Sequence, residues 1–377
     1  MKLKFAMVGG ALGSFMGPVH RIAATLDGQA ELVAGSFSRK AEKNRAAAEA
    51  WHVDPDRVYE DYRELLAAEA DNLDYVVICT PNNTHVEIAT AAIEAGLAVS
   101  SDKPLGIGSA ECDEPASLVD SRAVPFMVTH NYSGYPMIKE ARAMRAAGDL
   151  GDIHRIVVEM PQGWIQGIIT LSGEEPALWR MDPAVVGPSL ATADVGTHAL
   201  HLAEHVTGLT AIAVDADASY LLSTSPLEND INILLRFDND AAGILTVSEF
   251  ATGDRNPFRI RVYGTKAGIE WVQETPEYLI VKEPGGNERR LFRGHSPDAE
   301  SAKWSRIPMG HPEGYLEAFA NLYGEFHRAV RAWRGGAPIV GGNRGYDYPG
   351  VAEGVRGLRF VEAVLANLAG TDKWTEF

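Results

Sequence analysis

From residue 3 to residue 130, short apolar runs alternate with segments of helical spacing, an order that few folds accommodate. LKFAMV at 3 to 8 enters a glycine-rich turn, and HRIAATLDG at 20 to 28 follows with helical spacing and a terminal glycine. The series continues with ELVAGSF at 31 to 37, an alanine-rich helix through 40 to 51, YVVICT at 75 to 80 and a helix over 84 to 96. It closes with LAVSSDKP at 97 to 104, a helix near 109 to 121 and VPFMVTH at 124 to 130. Strands separated by crossover helices pair in parallel. Residues 1–130 are therefore predicted to form a doubly wound α/β domain with a parallel sheet.

After GDLGD at 148 to 152 the texture changes. IHRIVVEM, IAVDADASYLL, DINILLRF, AGILTVSEF, FRIRVYG, AGIEWV and EYLIVKE follow one another, most of them separated only by turn residues. Strands in succession without intervening helices give a mainly antiparallel open sheet. Helices at 139–147, 194–207 and 313–333 are predicted to cover one of its faces. Residues 131–377 thus form a second, α+β domain for substrate and subunit contacts, with a closing helix over 351–368 able to return to the first domain. Two domains also suit a chain of 377 residues.

Lys plus Arg number 34 against 51 Asp plus Glu, a formal net charge of −17 with no basic tract. That balance repels polyanions, so neither nucleic acid nor an anionic membrane surface is expected as a partner. Cys79 and Cys112 match no paired zinc-ligand spacing and no disulfide framework, which fits a reducing compartment. The first apolar run stops at glycines too soon for a signal-peptide core, and no run reaches the ~18 apolar residues of a spanning helix. A cytoplasmic protein is expected.

MVGGALGSFMGPVH stands between the first strand and the first helix, where small residues let backbone N–H groups approach a pyrophosphate. Counting Gly-x-Gly from Gly9 puts Ala11 at the second glycine, and Gly13 and Gly17 imply a longer turn than usual. Gly9, Gly10, Gly13, Ser14, Phe15 and Met16 are the candidate cofactor contacts there. The second strand ends in Ser36, Ser38 and Arg39 with no acid to bind a ribose diol. Arg39 could neutralise a 2′-phosphate or stack on adenine, so NAD is expected with NADP left open.

In ATADVGTHALHLAEH at 191 to 205, Asp194, His198, His201 and His205 are spaced by four, three and four. On a regular helix, advancing about 100° per residue, they form one polar stripe. Zinc chemistry fits it poorly, since His198 and His201 lack the i, i+4 pairing around a Glu and no second ligand cluster accompanies them. No metal is expected. Taken alone, the Asp-x-x-x-His pair also reads as a helix cap with an incidental histidine.

CTPNNTH at 79 to 85, SDKPL at 101 to 105 and GPSLATADVGTH at 187 to 198, taken with the fold order, resemble one family over nearly the whole chain. It is the glucose-fructose oxidoreductase and inositol dehydrogenase (Gfo/Idh/MocA) family of two-domain NAD(P)-dependent enzymes. HNYSGYP at 130 to 136 and GHPEGYLEAFANLY at 310 to 323 look like one of its less characterised branches. The resemblance implies that Thr80, Pro81, Asn82, His85, Asp102 and Lys103 line the cofactor site, with Lys103 beside the nicotinamide. It also implies that Asp194 and His198 face that ring. This chain departs from the pattern in its glycine turn, in Asp102 for the more frequent glutamate, and in Ala193 where a glycine is common.

The residue types suit the implied chemistry independently. Hydride can leave a secondary alcohol only as the hydroxyl proton is lost, and a near-neutral imidazole is a suitable acceptor, a task for His198. An ammonium stabilises the developing alkoxide, a task for Lys103, while Asp194 holds the imidazole or binds a substrate hydroxyl. Candidate substrate contacts are Tyr132, Trp164, Gln166, Trp179, Arg180, Asp194, His198, His201, Arg306 and His311, with Trp304 beside them. Aromatic faces and guanidinium groups suit an anionic or neutral sugar or cyclitol.

Two enzyme readings follow. One is a dehydrogenase of a sugar, glycoside or cyclitol hydroxyl. The other is an NAD-dependent glycoside hydrolase, which oxidises C3 transiently, eliminates the aglycone and adds water, using Tyr132, His130 or His201 as a further acid or base. A third, non-catalytic reading as a nucleotide sensor has no use for Lys103, Asp194 and His198. The open sheet favours a homo-oligomer, dimer or tetramer.

Overall fold

The alternating runs of the first 130 residues become β1 (Leu3–Gly9), β2 (Ala30–Ser36), β3 (Tyr75–Cys79), β4 (Ala98–Ser101) and β5 (Phe126–Val128) in the computed structural model. All four pairings are parallel and the spatial order is β2-β1-β3-β4-β5. Tyr75 to Ile78 are completely buried, as expected of a central strand covered on both faces. The structure describes residues 1–176 and 178–377. They group into two units, Met1–Asn131 with Leu316–Arg356, and Tyr132–Tyr315 with Gly357–Phe377.

The grouping of residues 316–356 with the first unit differs from the expected boundary. The helix Tyr315–Arg334, expected on the face of the second sheet, covers the first from Leu316 onward. Polar side chains on its buried face explain the choice. The Tyr323 hydroxyl lies 2.7 Å from His20 Nδ1, and His327 Nε2 lies 2.8 Å from the Tyr75 hydroxyl. Arg331 donates to the Gln29 carbonyl from its rim. Buried groups of this kind need partners, and the first sheet supplies them.

The second unit carries nine strands in one sheet. They are β6 (Ile153–Pro161), β7 (Ala211–Ser219), β8 (Asp230–Phe237), β9 (Ala242–Ser248), β10 (Arg259–Gly264), β11 (Gly268–Val272), β12 (Tyr278–Lys282), β13 (Glu288–Phe292) and β14 (Thr375–Glu376). The order is β13-β12-β11-β10-β6-β9-β8-β7-β14, antiparallel throughout except for β6 with β9. Burial alternates strictly along Ile231 to Phe237 of β8, so one face is covered and the other open. The helices Pro136–Ala146 and Thr197–Thr207 belong to this unit. The helix Val351–Ala369 starts in the first unit and ends in the second. No helix among the described residues is long and apolar enough to cross a membrane.

Candidate active site

In the first unit the strand order changes direction between β1 and β3, and a parallel sheet binds ligands at the carboxyl ends of strands at such a point. β1 ends there in Gly9 and Gly10, with φ of 82° and 75°. A Cβ on Gly9 would stand 2.4 Å from the Cys79 carbonyl oxygen. The helix Met16–Thr25 then begins with its backbone pressed on the turn, because Gly17 touches Gly10. A side chain at either glycine would block the approach of a diphosphate to these N–H groups. The residues present therefore fit a dinucleotide. Gly13 faces open space at φ 89°, and Ser14 is folded back, its hydroxyl accepting the Gly17 N–H at 3.0 Å. Phe15 is largely exposed and Met16 half-buried.

At the end of β2, Ser36 is buried, the Ser38 hydroxyl accepts the Lys40 N–H, and Arg39 is exposed. Beyond β3, Thr80, Pro81 and Asn82 are half-buried, and the Thr84 hydroxyl lies 2.8 Å from both Thr80 Oγ1 and the Pro81 carbonyl. His85 was expected to line the cofactor site. It is buried, with Nδ1 2.8 Å from the Pro104 carbonyl and Nε2 2.8 Å from the Thr80 carbonyl. It ties the end of β3 to the Lys-Pro turn.

Lys103 stands on that turn, half-buried, and Asp102 binds its backbone N–H. Asp102 Oδ1 accepts the Lys103 N–H at 3.0 Å and the Thr129 hydroxyl at 3.0 Å, while Oδ2 faces His20 Nε2 at 3.9 Å. Burial alone would raise the Asp102 pKa; the facing His20, with Lys103 and His85, outweighs it and holds the carboxyl well below the usual carboxylate range. His20, Cys79 and Asp102 bring one imidazole nitrogen, one sulfur and one carboxylate oxygen within 4.8 Å of one another. These atoms could offer ligands to a metal, a grouping the sequence spacing did not suggest.

In the second unit, Thr192–Gly196 is a π-helical turn leading into the helix Thr197–Thr207. The regular polar stripe expected from spacing is thus broken at its start. The cause is Glu228, fully buried, whose carboxylate accepts the Ser189 hydroxyl and the Leu190 and Thr192 N–H groups. It draws the chain into a wider turn, a feature often found at functional sites. Asp194 is half-buried, whereas His198 is only 7 % exposed, so the segment is not a solvated face. His201 and His205 lie farther along, their rings 5.5 Å apart and half-buried.

The Tyr132 ring meets His198 edge to face at 4.9 Å. Its hydroxyl oxygen accepts the Asn256 side-chain N–H at 3.0 Å, and Asn256 Oδ1 accepts Gln162 Nε2 at 2.9 Å. Burial pushes the Tyr132 phenol up to about 12, against the bond from Asn256 and helped by the nearby Asp194. Tyr132, Asp194 and His198 are therefore gathered in one place. Asn256 and Gln162 complete the cluster, and no spacing rule could have found them because 94 residues separate the pair.

The remaining substrate candidates all belong to the second unit. Trp164 packs against an apolar cluster that includes Ile165, Met181 and Leu190, and Gln166 bonds Thr170 on its own helix. Trp179 is exposed with the Arg180 guanidinium 4.5 Å over its ring. Trp304 is taken up by Lys139 over its face and by Glu300, which accepts its indole N–H. Arg306 and His311 sit on the 305–314 loop, where buried Arg293 donates to the Ile307 and His311 carbonyls and pairs with Glu277 and Glu313.

Comparison with known proteins decides the lineage. Residues 3–130 match the family model described as "Oxidoreductase family, NAD-binding Rossmann fold", and residues 138–270 match the GFO/IDH/MocA C-terminal domain. The chain belongs to the GFO/IDH/MocA oxidoreductase family. It is similar to an uncharacterized oxidoreductase of Bacillus subtilis, 34% identical over 100% of this chain and 97% of the relative. An inositol dehydrogenase homologue from Azotobacter vinelandii, crystallised with NADH and myo-inositol, is 33% identical with a TM-score of 0.91, covering 100% of this chain and 98% of that one. A levoglucosan dehydrogenase from Pseudarthrobacter phenanthrenivorans is 26% identical over 62% of this chain and 64% of its own length. Residues 3–130 of this chain are its NAD-binding Rossmann domain.

Proposed function

We propose that this protein is an NAD-dependent dehydrogenase of a secondary hydroxyl on a sugar, glycoside or cyclitol. NAD+, when bound, accepts the hydride. In this reading His198 takes the hydroxyl proton, Lys103 is the ammonium that stabilises developing negative charge, and Asp194 orients either the imidazole or a neighbouring substrate hydroxyl. The observation that carries the reading is the cluster of Asp194, His198 and Tyr132 on and around the π-helical turn, where the imidazole is sheltered from water. The substrate class is supported by the inositol and levoglucosan chemistry of the relatives.

A redox-neutral glycosidase would need a further proton carrier beside the base. Of the three candidates Tyr132 packs against the His198 ring, and its phenol, pushed up to about 12, keeps its proton at neutral pH. That argues against Tyr132 as the further base. The test is incubation with NAD+ and a panel of free sugars, cyclitols and aryl glycosides, following NADH and aglycone together. NADH growth on a free polyol supports the dehydrogenase; aglycone release without net NADH rejects it.

A further inference from the structure

His20 is completely buried on the first helix, three residues beyond the glycine that touches the nucleotide turn. Phe319 and Tyr323 pack edge-on against its ring. The Ser100 hydroxyl donates to the Tyr323 oxygen at 3.2 Å, which directs the Tyr323 proton to His20 Nδ1 at 2.7 Å. Burial raises the Tyr323 pKa far above the ordinary phenol range, so Tyr323 keeps that proton. With Nδ1 as acceptor, a ring proton sits on Nε2. Nε2 has no hydrogen-bond partner among the described residues and faces Asp102 Oδ2 at 3.9 Å.

The other oxygen of Asp102 holds the Lys103 N–H and the Thr129 hydroxyl. One carboxylate thus has its first oxygen on the backbone that carries Lys103 and its second opposite a buried imidazole aimed at it by Tyr323. At 3.9 Å the approach is longer than a hydrogen bond, and a small rotation of Asp102 would close it. The charged and titratable groups around the pair are Lys103 on the same turn, Cys79 at the end of β3, His85 from the following helix and Tyr323 from the helix Tyr315–Arg334.

We propose that His20 is a positioning residue for Lys103, acting through Asp102, so that the helix carrying the nucleotide turn also sets where the ammonium points. The proposal rests on the reading of Lys103 as a working group. Packing alone would make His20 replaceable by any side chain of similar volume. Positioning requires an N–H at the place of Nε2.

Two substitutions separate these roles. His20→Asn keeps a polar group near Nδ1 for Tyr323 but offers nothing to Asp102, while His20→Gln can place its amide N–H near the position of Nε2. In the full-length enzyme with NAD+, on the polyol that the panel selects, His20→Asn should lower kcat about 10-fold or more. The Kd for NAD+ should change less than about twofold, and His20→Gln should recover most of kcat. Combined with Lys103→Met, His20→Asn should add no further loss. A readout that needs no substrate is the rate of Lys103 acetylation by acetic anhydride, measured by peptide mass spectrometry. It should differ at least threefold between wild type and His20→Asn and return in His20→Gln.

Equal loss in the Asn and Gln variants, or unchanged kcat and acetylation in both, overturns the proposal. Full turnover in Lys103→Met alone overturns instead the catalytic reading on which it rests, so the two failures are distinguishable.

Discussion

Gly17 and Gly10 meet backbone to backbone: a Cβ on Gly17 would stand 1.7 Å from the Gly10 carbonyl oxygen and 2.7 Å from its Cα. The atoms opposing it are main chain, which cannot rotate away. Gly17→Ala must push the helix Met16–Thr25 off the turn. Overpacking of this kind costs about 1–3 kcal/mol, and where it falls on the nucleotide turn the Kd for NAD+ should rise about 10-fold or more. Quenching of intrinsic fluorescence by added NAD+ measures it, with circular dichroism to show that the fold persists.

Tyr132 packs edge to face against His198. Its phenol stays neutral up to about pH 12 because burial outweighs the bond from Asn256. Tyr132→Phe should therefore lower kcat/KM, by about 10-fold for one lost polar contact, while leaving the alkaline limb of the pH profile where it was. A limb that disappears with the hydroxyl would mean that Tyr132 ionises in the working range. Asn256→Ala should reproduce part of the loss.

His327 makes stability depend on acid. Burial pushes its pKa down to about 3, helped by Arg331 and opposed by Asp27, and Nε2 is bonded to the Tyr75 hydroxyl. The native state therefore holds this imidazole neutral while the unfolded chain protonates it below its ordinary value near 6.5. Stability from this group is complete above about pH 6.5 and is lost progressively as the pH falls toward 3, on the order of a few kcal/mol in all. His327→Gln, which retains a hydrogen-bonding group for Tyr75 but does not titrate, should flatten that part of the curve in urea unfolding measured from pH 7 to pH 4.

Arg293, 1 % exposed, fastens the 305–314 loop through Glu277, Glu313 and two carbonyls. Arg293→Met leaves the buried Glu313 carboxylate without its ion partner, although the Arg306 and Ile307 N–H groups still reach it. A loss of about 3–5 kcal/mol is expected for a buried pair broken on one side. Proteolysis of the loop should rise before global unfolding, which limited digestion would reveal.

Much of the architecture could be read from local pattern. YVVIC is an unbroken apolar run because β3 is buried on both faces, and DINILLRF alternates because β8 is covered on one. β13, ERRLF, was missed because it lies at the sheet edge, where charged residues face solvent and leave little alternation. The amphipathic pattern of Tyr315–Arg334 marks a helix with a buried face but does not say which sheet it meets. Only the long-range pairs of Tyr323 with His20 and His327 with Tyr75 decide that.

The candidate site was legible where chemistry is local. Glycines that need positive φ stand out in sequence, as Gly9 and Gly10 do, and Asp194 and His198 are close in the chain. The π-helical turn was invisible because it is imposed by Glu228, more than thirty residues downstream of the segment it widens. His20 gives no signal beyond a lone histidine in an apolar helix, and its partners Asp102 and Tyr323 lie in distant parts of the chain. Arg180 and Trp179 show the converse, since an aromatic and a cation adjacent in sequence can satisfy one another, whereas Trp304 takes its cation, Lys139, from a distant part of the chain.

Hydride transfer from a carbinol carbon is the central claim, and isotope transfer tests it most directly. The enzyme would be mixed with NAD+ and a panel-selected polyol deuterated at the oxidised carbon, and the nicotinamide product weighed by mass spectrometry, for wild type and for His198→Asn. The account predicts singly deuterated NADH from wild type, and formation slowed at least about 100-fold in the variant with NAD+ binding retained. Unlabelled NADH from wild type, or an undiminished rate in His198→Asn, would contradict it.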